Sequence, residues 1–444
     1  MTALKRVLVA AVAASLTTTL VLSPATPGWT APGGRSGPLP VADTLPPAVL
    51  EGVQRGLPRN PAVVGQRISA IKKDGLPSIG AMVLNRDGEI VYQAGNTPKT
   101  PASTMKVLTS VVALDVLGAE SRLQTTVVQG RAINQIALVG GGDPLLQSTA
   151  DRRPGAASLD RLAAATAAKL KAKKVATVSL TLDATLFSGP AWNADWPQQF
   201  QWSVAPITAL KVDNALSTPG SLNRDKSPVD HAGRAFVAAL AARGIKVTAT
   251  NKGKAVPGTE TLASVSSPPI SAIVEHTLSE SDNDAAETLA FLVSAKRGKA
   301  ASFADSRAVL TDELTRRGLF DPGMFVADGN GISTRNRITP GVLARAIRQG
   351  VEDPNLRYLL TGLPVAGVTG TLAGRFQEPT MAPGRGRVRG KTGSIASVDG
   401  LAGYVTSKDG ERYSFAFVLN GAPSEARGRQ WIDQAASVLA NCGC

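Results

Sequence analysis

The sequence Pro101-Ala-Ser-Thr-Met-Lys-Val-Leu-Thr109 contains the two residues on which our interpretation of the fold and chemistry depends. A helix that starts near Ala102 places Ser103 and Lys106 one turn apart on the same face. A hydroxyl with an amine in reach is a nucleophile beside its base. Because both residue types are common on helix surfaces, the spacing alone is weak evidence for a catalytic site.

The residues after Lys106 favour a buried helix, because apolar side chains occupy almost its whole circumference before Gly118, a typical C-terminal cap. Two short strands, 79–84 and 89–94, precede this segment and are joined through Asp87-Gly88, a hairpin signal. Three further strands, at 388–393, 398–406 and 412–420, lie near the C-terminus, before a closing helix at 424–439. The pattern therefore predicts an α+β fold in which one antiparallel sheet is assembled from both ends of the chain.

The middle of the chain has a different pattern. Helix-then-strand units at 158–174 and 175–182, and again at 231–243 and 245–250, predict an inserted, smaller α/β domain. The glycine-rich run that ends in Asp143-Pro144 lacks the spacing of a phosphate loop and predicts a tight turn. After the insertion the chain becomes helical, with helices expected at 270–278, 284–296, 304–317 and 340–351.

The N-terminus predicts export. Lys5 and Arg6 precede a largely apolar run, 7–22, and a segment rich in Pro, Gly and small residues follows. This is the order of a secretory signal, although an uncleaved signal anchor is the alternative. We therefore expect a signal peptide at 1–31, a linker at 32–62, a main domain at 63–124 and 266–444, and the inserted domain at 125–265. The periplasm or cell-wall space is the expected location.

The composition of the chain limits the classes of binding partner that we expect. The chain has 444 residues and a formal charge of +14, which favours an anionic wall polymer or membrane surface unless the basic surface serves solubility alone. Aromatic residues make up 4% and do not alternate with basic ones, so nucleic acid is not expected as a partner. The two histidines, His231 and His276, favour ordinary helix positions, and no metal site is expected. Cys442 and Cys444, one glycine apart, are not expected to form a disulfide.

Two more motifs follow the Ser-x-x-Lys sequence. Ser281-Asp282-Asn283 lies between predicted helices, and Lys391-Thr392-Gly393 lies on a predicted strand. Together these three motifs form the signature of penicillin-binding proteins and class A β-lactamases. The chain resembles the low-molecular-mass class C penicillin-binding proteins, the D-alanyl-D-alanine carboxypeptidase/endopeptidase family.

Other blocks carry the same resemblance, among them 140–144, 328–331, 363–367 and 401–404. Asn330 and Thr334 depart from the family, which often has Ser and Arg at these positions. The resemblance implies a β-lactamase/transpeptidase-like sheet with helices on both faces. It makes 63–124 and 266–444 the transpeptidase-like catalytic domain.

The resemblance implies a serine peptidase that hydrolyses D-Ala-D-Ala termini, peptide cross-links of peptidoglycan, or both. Ser103 is then the nucleophile and Lys106 is its base, kept partly neutral by burial and by the cation Lys391. Ser281 is expected to relay the proton to the leaving amine. Asn283 is expected to hold the substrate amide and to orient Lys106.

The remaining positions are expected to bind substrate. Lys391, Thr392 and Gly393 correspond to the family's substrate-binding strand, where the first two face the terminal carboxylate. The backbone amides of Ser103 and Ser394 are expected to form the oxyanion hole. Neither a metal nor another cofactor is implied.

The expected partners are peptidoglycan stem peptides, with β-lactam antibiotics as covalent inhibitors. Two alternatives remain at this point. A serine β-lactamase requires fast deacylation, for which no Glu-x-x-Leu-Asn-like segment is apparent. A catalytically silent wall-binding protein of the same fold is disfavoured by the intact motifs.

Overall fold

The computed structural model describes residues 61–73, 75–76, 78–150, 155–218, 221 and 223–443. The predicted signal peptide and all but the last two residues of the predicted linker lie outside the described residues. Within the described part, no helix is long and apolar enough to cross a membrane.

The strands and helices follow the chain in this order. The first half contains α1 (Pro61–Ser69), β1 (Ser78–Leu84), β2 (Ile90–Ala94), α2 (Met105–Leu117), β3 (Arg122–Gln129), β4 (Gln135–Val139), α3 (Leu159–Ala172), β5 (Thr177–Asp183), α4 (Pro228–Ala241), β6 (Lys246–Lys252) and β7 (Thr261–Pro269). The second half contains α5 (Ile270–Ser279), α6 (Asn283–Lys296), α7 (Phe303–Arg316), α8 (Pro340–Glu352), α9 (Arg357–Thr361), β8 (Arg389–Ile395), β9 (Val398–Thr406), β10 (Arg412–Asn420) and α10 (Glu425–Ala440).

The first sheet joins the two ends of the sequence, as predicted. Its strand order is β2-β1-β10-β9-β8, and all of its pairs are antiparallel. The β1–β10 register pairs Ser78 with Asn420 and Leu84 with Ser414. The strand β8, which carries the Lys-Thr-Gly motif, is therefore the last strand on one side of the sheet.

Helices cover both faces of this sheet. Side chains alternate between the faces along each strand, so neighbouring residues of one strand pack against helices on opposite faces. Met82 and Ala416 belong to a buried apolar cluster that includes α2, α5 and α8. Ala81 and Phe415, one residue away in each strand, belong to a second cluster that includes α1 and α10. The expected two-faced α+β architecture is thus confirmed.

The buried helix α2 was predicted, but it begins later than expected. Ala102–Thr104 form a 3-10 turn, and the α-helix starts at Met105. Ala102 has φ of +47°, in the left-handed region that residues with a Cβ avoid. The helix ends, as predicted, where Gly118 takes φ of +84°.

A second sheet has the strand order β6-β5-β4-β3-β7 and mixes parallel with antiparallel pairs. The helices α3 and α4 pack against it in a separate apolar cluster. Its strands extend from Arg122 to Pro269, slightly beyond the predicted insertion. Strands β3, β4 and β7 were not predicted, and whether the region folds as a separate domain stays a prediction.

The glycine-rich run before Asp143 is explained by close backbone packing. A Cβ on Gly140 would lie 2.4 Å from the carbonyl oxygen of Ala209, and one on Gly141 would lie 1.9 Å from that of Gln124. Neither distance is possible for a side-chain carbon, so both positions require glycine for steric reasons.

The C-terminus contradicts one expectation. Cys442 is buried and disulfide-bonded. The expectation from the short spacing is therefore wrong for Cys442, whereas Cys444 lies outside the described residues. Helix α10 ends at Ala440, so helical geometry does not constrain Cys442.

Candidate active site

The side-chain nitrogen of Lys106 joins the Ser-x-x-Lys motif to the Ser-Asp-Asn motif through hydrogen bonds. Lys106 Nζ donates to Ser103 Oγ at 2.9 Å, to Asn283 Oδ1 at 2.7 Å and to the Asn330 carbonyl oxygen at 2.7 Å. The Lys106 side chain is fully buried, whereas Ser103 is half-buried. A base held by three oxygen atoms is therefore directed at a hydroxyl that a ligand can reach.

Burial makes Lys106 a plausible base at neutral pH. It lowers the pKa of Lys106 to about 7, although the carboxylates of Asp328, Asp282 and Glu287 act in the opposite direction. A substantial fraction of the amine is therefore neutral near pH 7. The lowering is caused by burial; the expected contribution of the Lys391 charge is not among its causes.

The Lys-Thr-Gly motif reaches the same site through Lys391. Its Nζ donates to Ser281 Oγ at 2.9 Å and to the Thr392 carbonyl oxygen at 2.9 Å. Burial, followed by the nearby charge of Lys106, lowers the pKa of Lys391 well below its ordinary value. Each catalytic serine candidate thus has its own buried lysine.

The loop that carries Ser281 is held tightly. Ser281 has φ of +58°, and Asp282 caps α6 by accepting from the Ala285 amide at 3.0 Å. His276 Nε2 lies 2.9 Å from Asp282 Oδ2. Although burial acts to raise the pKa of Asp282, the hydrogen bond and charge of His276 hold it well below its usual range. His276 lies in helix α5, as predicted, and in addition contacts the Ser-Asp-Asn motif through Asp282.

Asn283 connects the two sides of the site. Its Oδ1 accepts from Lys106, and its Nδ2 donates to the Ser203 carbonyl oxygen at 3.2 Å. Ser203 belongs to the predicted inserted region, which therefore contacts a site residue directly.

The strand β8 passes close to the turn that carries the nucleophile. A Cβ on Gly393 would lie 2.7 Å from the Pro101 carbonyl oxygen and 3.1 Å from Thr104 Cγ2. This close approach explains the glycine by packing. Thr392 Oγ1 lies 2.9 Å from Thr371 Oγ1, and Ser394, which follows on the strand, is exposed.

A buried polar network holds the Asn330 carbonyl group that accepts a hydrogen bond from Lys106. Glu287 Oε2 accepts from the amides of Gly329 at 3.0 Å and Asn330 at 3.1 Å, which fixes the carbonyl that binds Lys106. Burial and the neighbouring Asp328 raise the pKa of Glu287 well above its ordinary value. Sequence reasoning missed Glu287, although a lone glutamate inside the apolar run 285–293 was a usable signal.

Close packing also explains one glycine of this network. A Cβ on Gly331 would lie 2.0 Å from the Ala102 carbonyl oxygen. The loop therefore packs closely against the turn that carries the nucleophile.

Among the described residues, no group of three or more His, Cys, Asp or Glu side chains is placed to hold a metal ion.

Comparison with known proteins gives a family match over nearly all of the described chain. The model of the D-Ala-D-Ala carboxypeptidase 3 (S13) family matches residues 68–224 and 218–442. Carboxypeptidase DacB of Mycolicibacterium smegmatis is 31% identical over 92% of this chain and 90% of its own length. Carboxypeptidase Rv3627c of Mycobacterium tuberculosis is 32% identical over 93% of this chain and 89% of its own.

Solved structures share the fold. Penicillin binding protein 4 of Haemophilus influenzae superposes with a TM-score of 0.69 at 22% identity, covering 85% of this chain and 98% of its own. Bd3459, a predatory peptidoglycan endopeptidase of Bdellovibrio bacteriovorus, gives a TM-score of 0.52 at 17% identity, covering 81% and 92%.

Proposed function

Because the chain belongs to the D-Ala-D-Ala carboxypeptidase 3 (S13) family, we propose that it is a serine carboxypeptidase that hydrolyses D-Ala-D-Ala termini of peptidoglycan stem peptides. The observation that carries the proposal is the buried Lys106 amine, 2.9 Å from Ser103 Oγ. Relatives that are 31% and 32% identical are named carboxypeptidases, which supports the same activity.

Acylation follows from the positions of the two lysines. Neutral Lys106 takes the proton of Ser103 as Oγ attacks the carbonyl carbon of the penultimate D-Ala. The C–N bond then breaks as the proton that Lys106 took from Ser103 passes through Ser281 Oγ, held by Lys391, to the leaving amine, which leaves Lys106 neutral for the attack of water. Water hydrolyses the resulting ester and restores Ser103.

The other site residues bind the substrate. Asn283 holds the substrate amide while its Oδ1 orients Lys106. Lys391 and Thr392 face the terminal carboxylate, and Gly393 lets the strand approach the nucleophile's turn. The backbone amides of Ser103 and Ser394 receive the oxyanion, which requires donors at fixed positions.

The same acyl-enzyme chemistry explains two further properties that we propose. A β-lactam acylates Ser103 covalently, since its strained amide takes the place of the scissile bond. A cross-link between stem peptides is a second possible substrate class, which gives endopeptidase activity. The fold shared with a predatory peptidoglycan endopeptidase is compatible with this activity.

We also propose that the chain is exported to the periplasm or cell-wall space. Lys5, Arg6 and the apolar run after them support a signal sequence. The charge of +14 favours a peripheral association with an anionic wall polymer or membrane surface. Binding of the protein to isolated cell walls should weaken as salt is raised, and binding that is insensitive to salt rules the association out.

Mass spectrometry of the intact protein after incubation with penicillin tests the proposed reaction, together with release of D-Ala from a pentapeptide substrate. We expect one long-lived adduct on Ser103 and D-Ala release, and neither with Ser103→Ala. Rapid turnover of penicillin without a lasting adduct would identify a β-lactamase. No adduct and no D-Ala release would identify a silent protein of the same fold.

A further inference from the structure

Three consecutive residues with a Cβ take left-handed backbone angles in the predicted inserted region. The φ values are +52° at Asp213, +53° at Asn214 and +54° at Ala215. Each such residue costs roughly 1 kcal/mol, and such strain persists only where surrounding contacts hold the backbone. Ser148 supplies one of these contacts, because its Oγ donates to Asp213 Oδ2 at 2.6 Å.

The side chain at the centre of this turn is bonded to the Ser-Asp-Asn motif. Asn214 Nδ2 donates to Asp282 Oδ2 at 2.9 Å. The same oxygen lies 2.9 Å from His276 Nε2, and the other oxygen of Asp282 caps α6. Asp282 is therefore held from the turn, from α5 and from α6 at once, directly between Ser281 and Asn283.

A second contact holds the other neighbour of Asn283. Arg224 Nη1 donates to the Asn214 carbonyl oxygen at 2.6 Å and to Asp284 Oδ2 at 2.9 Å. Lys211 also pairs with Asp284, whose side chain is fully buried. The residues on both sides of Asn283 are thus held by Asn214, Arg224 and Lys211, all of the predicted inserted region.

The position of Asn283 and Ser281 matters because both are bonded to the buried lysines. Asn283 Oδ1 lies 2.7 Å from Lys106 Nζ, and Ser281 Oγ lies 2.9 Å from Lys391 Nζ. A displacement of about 1 Å in a reacting group can reduce a rate by about 100-fold. Because Asp282 lies between Ser281 and Asn283 in the chain, a shift of its backbone after these bonds are lost would displace both neighbours together.

We propose that Asn214 is a positioning residue for acylation: held in its strained turn, it fixes Asp282 and thereby the geometry of Ser281 and Asn283. The inference rests on the proposed function. It also gives the inserted region a role in catalysis in addition to any role in substrate recognition.

Glycine at position 214 tests the contribution of the side chain separately from that of the backbone turn, because glycine adopts a positive φ without cost. Asn214→Gly removes the bond to Asp282 but keeps the turn, so its Tm should stay close to that of the wild type. We expect its acylation rate constant with a fluorescent penicillin, and its kcat for D-Ala release, to fall about 10- to 100-fold with little change in KM. Lys174→Gly is the matched control, an exposed residue with φ of +59°, and should react at the wild-type rate.

Asn214→Asp adds a readout that a purely structural role would not produce. A carboxylate would then face Asp282. The other charged or titratable groups around it are Asp213, Arg224, Lys211, Asp284, His276 and Lys106. Two adjacent carboxylates favour uptake of a shared proton. The rate relative to the wild type at the same pH should therefore recover as the pH falls from 7 to about 5.

The outcomes separate the two proposals. If the wild type forms no adduct, the proposed function fails and the positioning role falls with it. If the wild type reacts and Asn214→Gly reacts equally fast, the positioning role alone is refuted. If Asn214→Gly loses both Tm and rate, Asn214→Asp decides: a pH-independent ratio to the wild type refutes the role, and a ratio that rises toward acid supports it.

Discussion

Lys106 Nζ lies 2.9 Å from Ser103 Oγ, and burial lowers the pKa of this amine to about 7. Only the neutral amine accepts a proton, and the neutral fraction increases as the pH rises through the pKa. The rate constant for acylation by a fluorescent penicillin should therefore rise about tenfold per pH unit below 7 and level off above it. A rate that is constant between pH 5.5 and 8 would exclude Lys106 as the base. Lys106→Arg should not acylate at any of these pH values.

Lys391 predicts a preference for substrates with a free carboxylate. A bound substrate carboxylate favours the protonated Lys391 amine, and Lys391→Gln removes the resulting charge-assisted hydrogen bond, worth about 1.5–3 kcal/mol. The KM for a peptide that ends in D-Ala-D-Ala should rise about 10- to 100-fold, whereas the KM for a peptide with an amidated terminus should change little; kcat should fall for both, because Lys391 also donates to Ser281. The exposed Lys408→Gln is the control and should leave both KM values unchanged. Equal increases in KM for both peptides would contradict carboxylate recognition by Lys391.

Gly393 should not tolerate a methyl group. The Cβ of Gly393→Ala would lie 2.7 Å from the Pro101 carbonyl oxygen, so β8 or the nucleophile's turn must shift. Overpacking of this kind costs typically about 1–3 kcal/mol, and we expect lower stability to urea together with slower acylation. The matched change Gly374→Ala, where no atom lies within 4 Å of the added carbon, should alter neither. Acylation by Gly393→Ala at the wild-type rate would show that this contact does not position the site.

From the environment of Asp399 on β9 we predict that the stability of the protein depends on pH. Its carboxylate is buried, and among the described residues neither oxygen has a hydrogen-bond partner, although Arg429 Nε lies 3.6 Å away. Burial raises its pKa to about 6, so the folded state favours the protonated acid and loses this stabilisation as the pH rises through 6. Asp399→Asn should remove that dependence and stabilise the protein at pH 7 by about 2 kcal/mol.

Urea unfolding at pH 4.5 and pH 7 measures this effect directly. The difference between Asp399→Asn and the wild type should be larger at pH 7 than at pH 4.5. The exposed Asp312→Asn serves as the control and should give the same small difference at both pH values. A stabilisation by Asp399→Asn that does not change with pH would refute titration of Asp399 as its cause.

The sequence predicted those features that local patterns determine. The boundaries of β9 and β10 were predicted without error, because largely apolar runs and the Asp409-Gly410 turn between them define them. The α-helix after Ser103 was predicted three residues too early, because the left-handed Ala102 depends on packing against Gly331 from a distant loop. Strands β5 and β6 were recognised after helices, whereas β4 and β7 were missed because each follows a strand and not a helix. Strand β3 was missed although α2 precedes it.

The motif residues were found in the sequence, but their supporting partners were not. Ser103, Lys106, Ser281, Asn283 and Lys391 lie together in the structure, linked by hydrogen bonds. Asn214 and His276 bond to Asp282, and Glu287 accepts from the Asn330 amide, so all three support the motif residues through one intermediate residue. Their contribution depends on long-range packing, which single-residue patterns do not encode.

The pairing of β1 with β10 has a consequence for how the chain matures. Ser78 on β1 finds its partner, Asn420, only when the C-terminal strands exist, and β8 must also be in place before Lys391 can reach Ser281. Contacts this distant along the sequence form slowly and late during folding. A nascent chain therefore carries Ser103 and Lys106 long before it can assemble a reactive centre, so synthesis of strands β8 to β10 controls when the nucleophile becomes active.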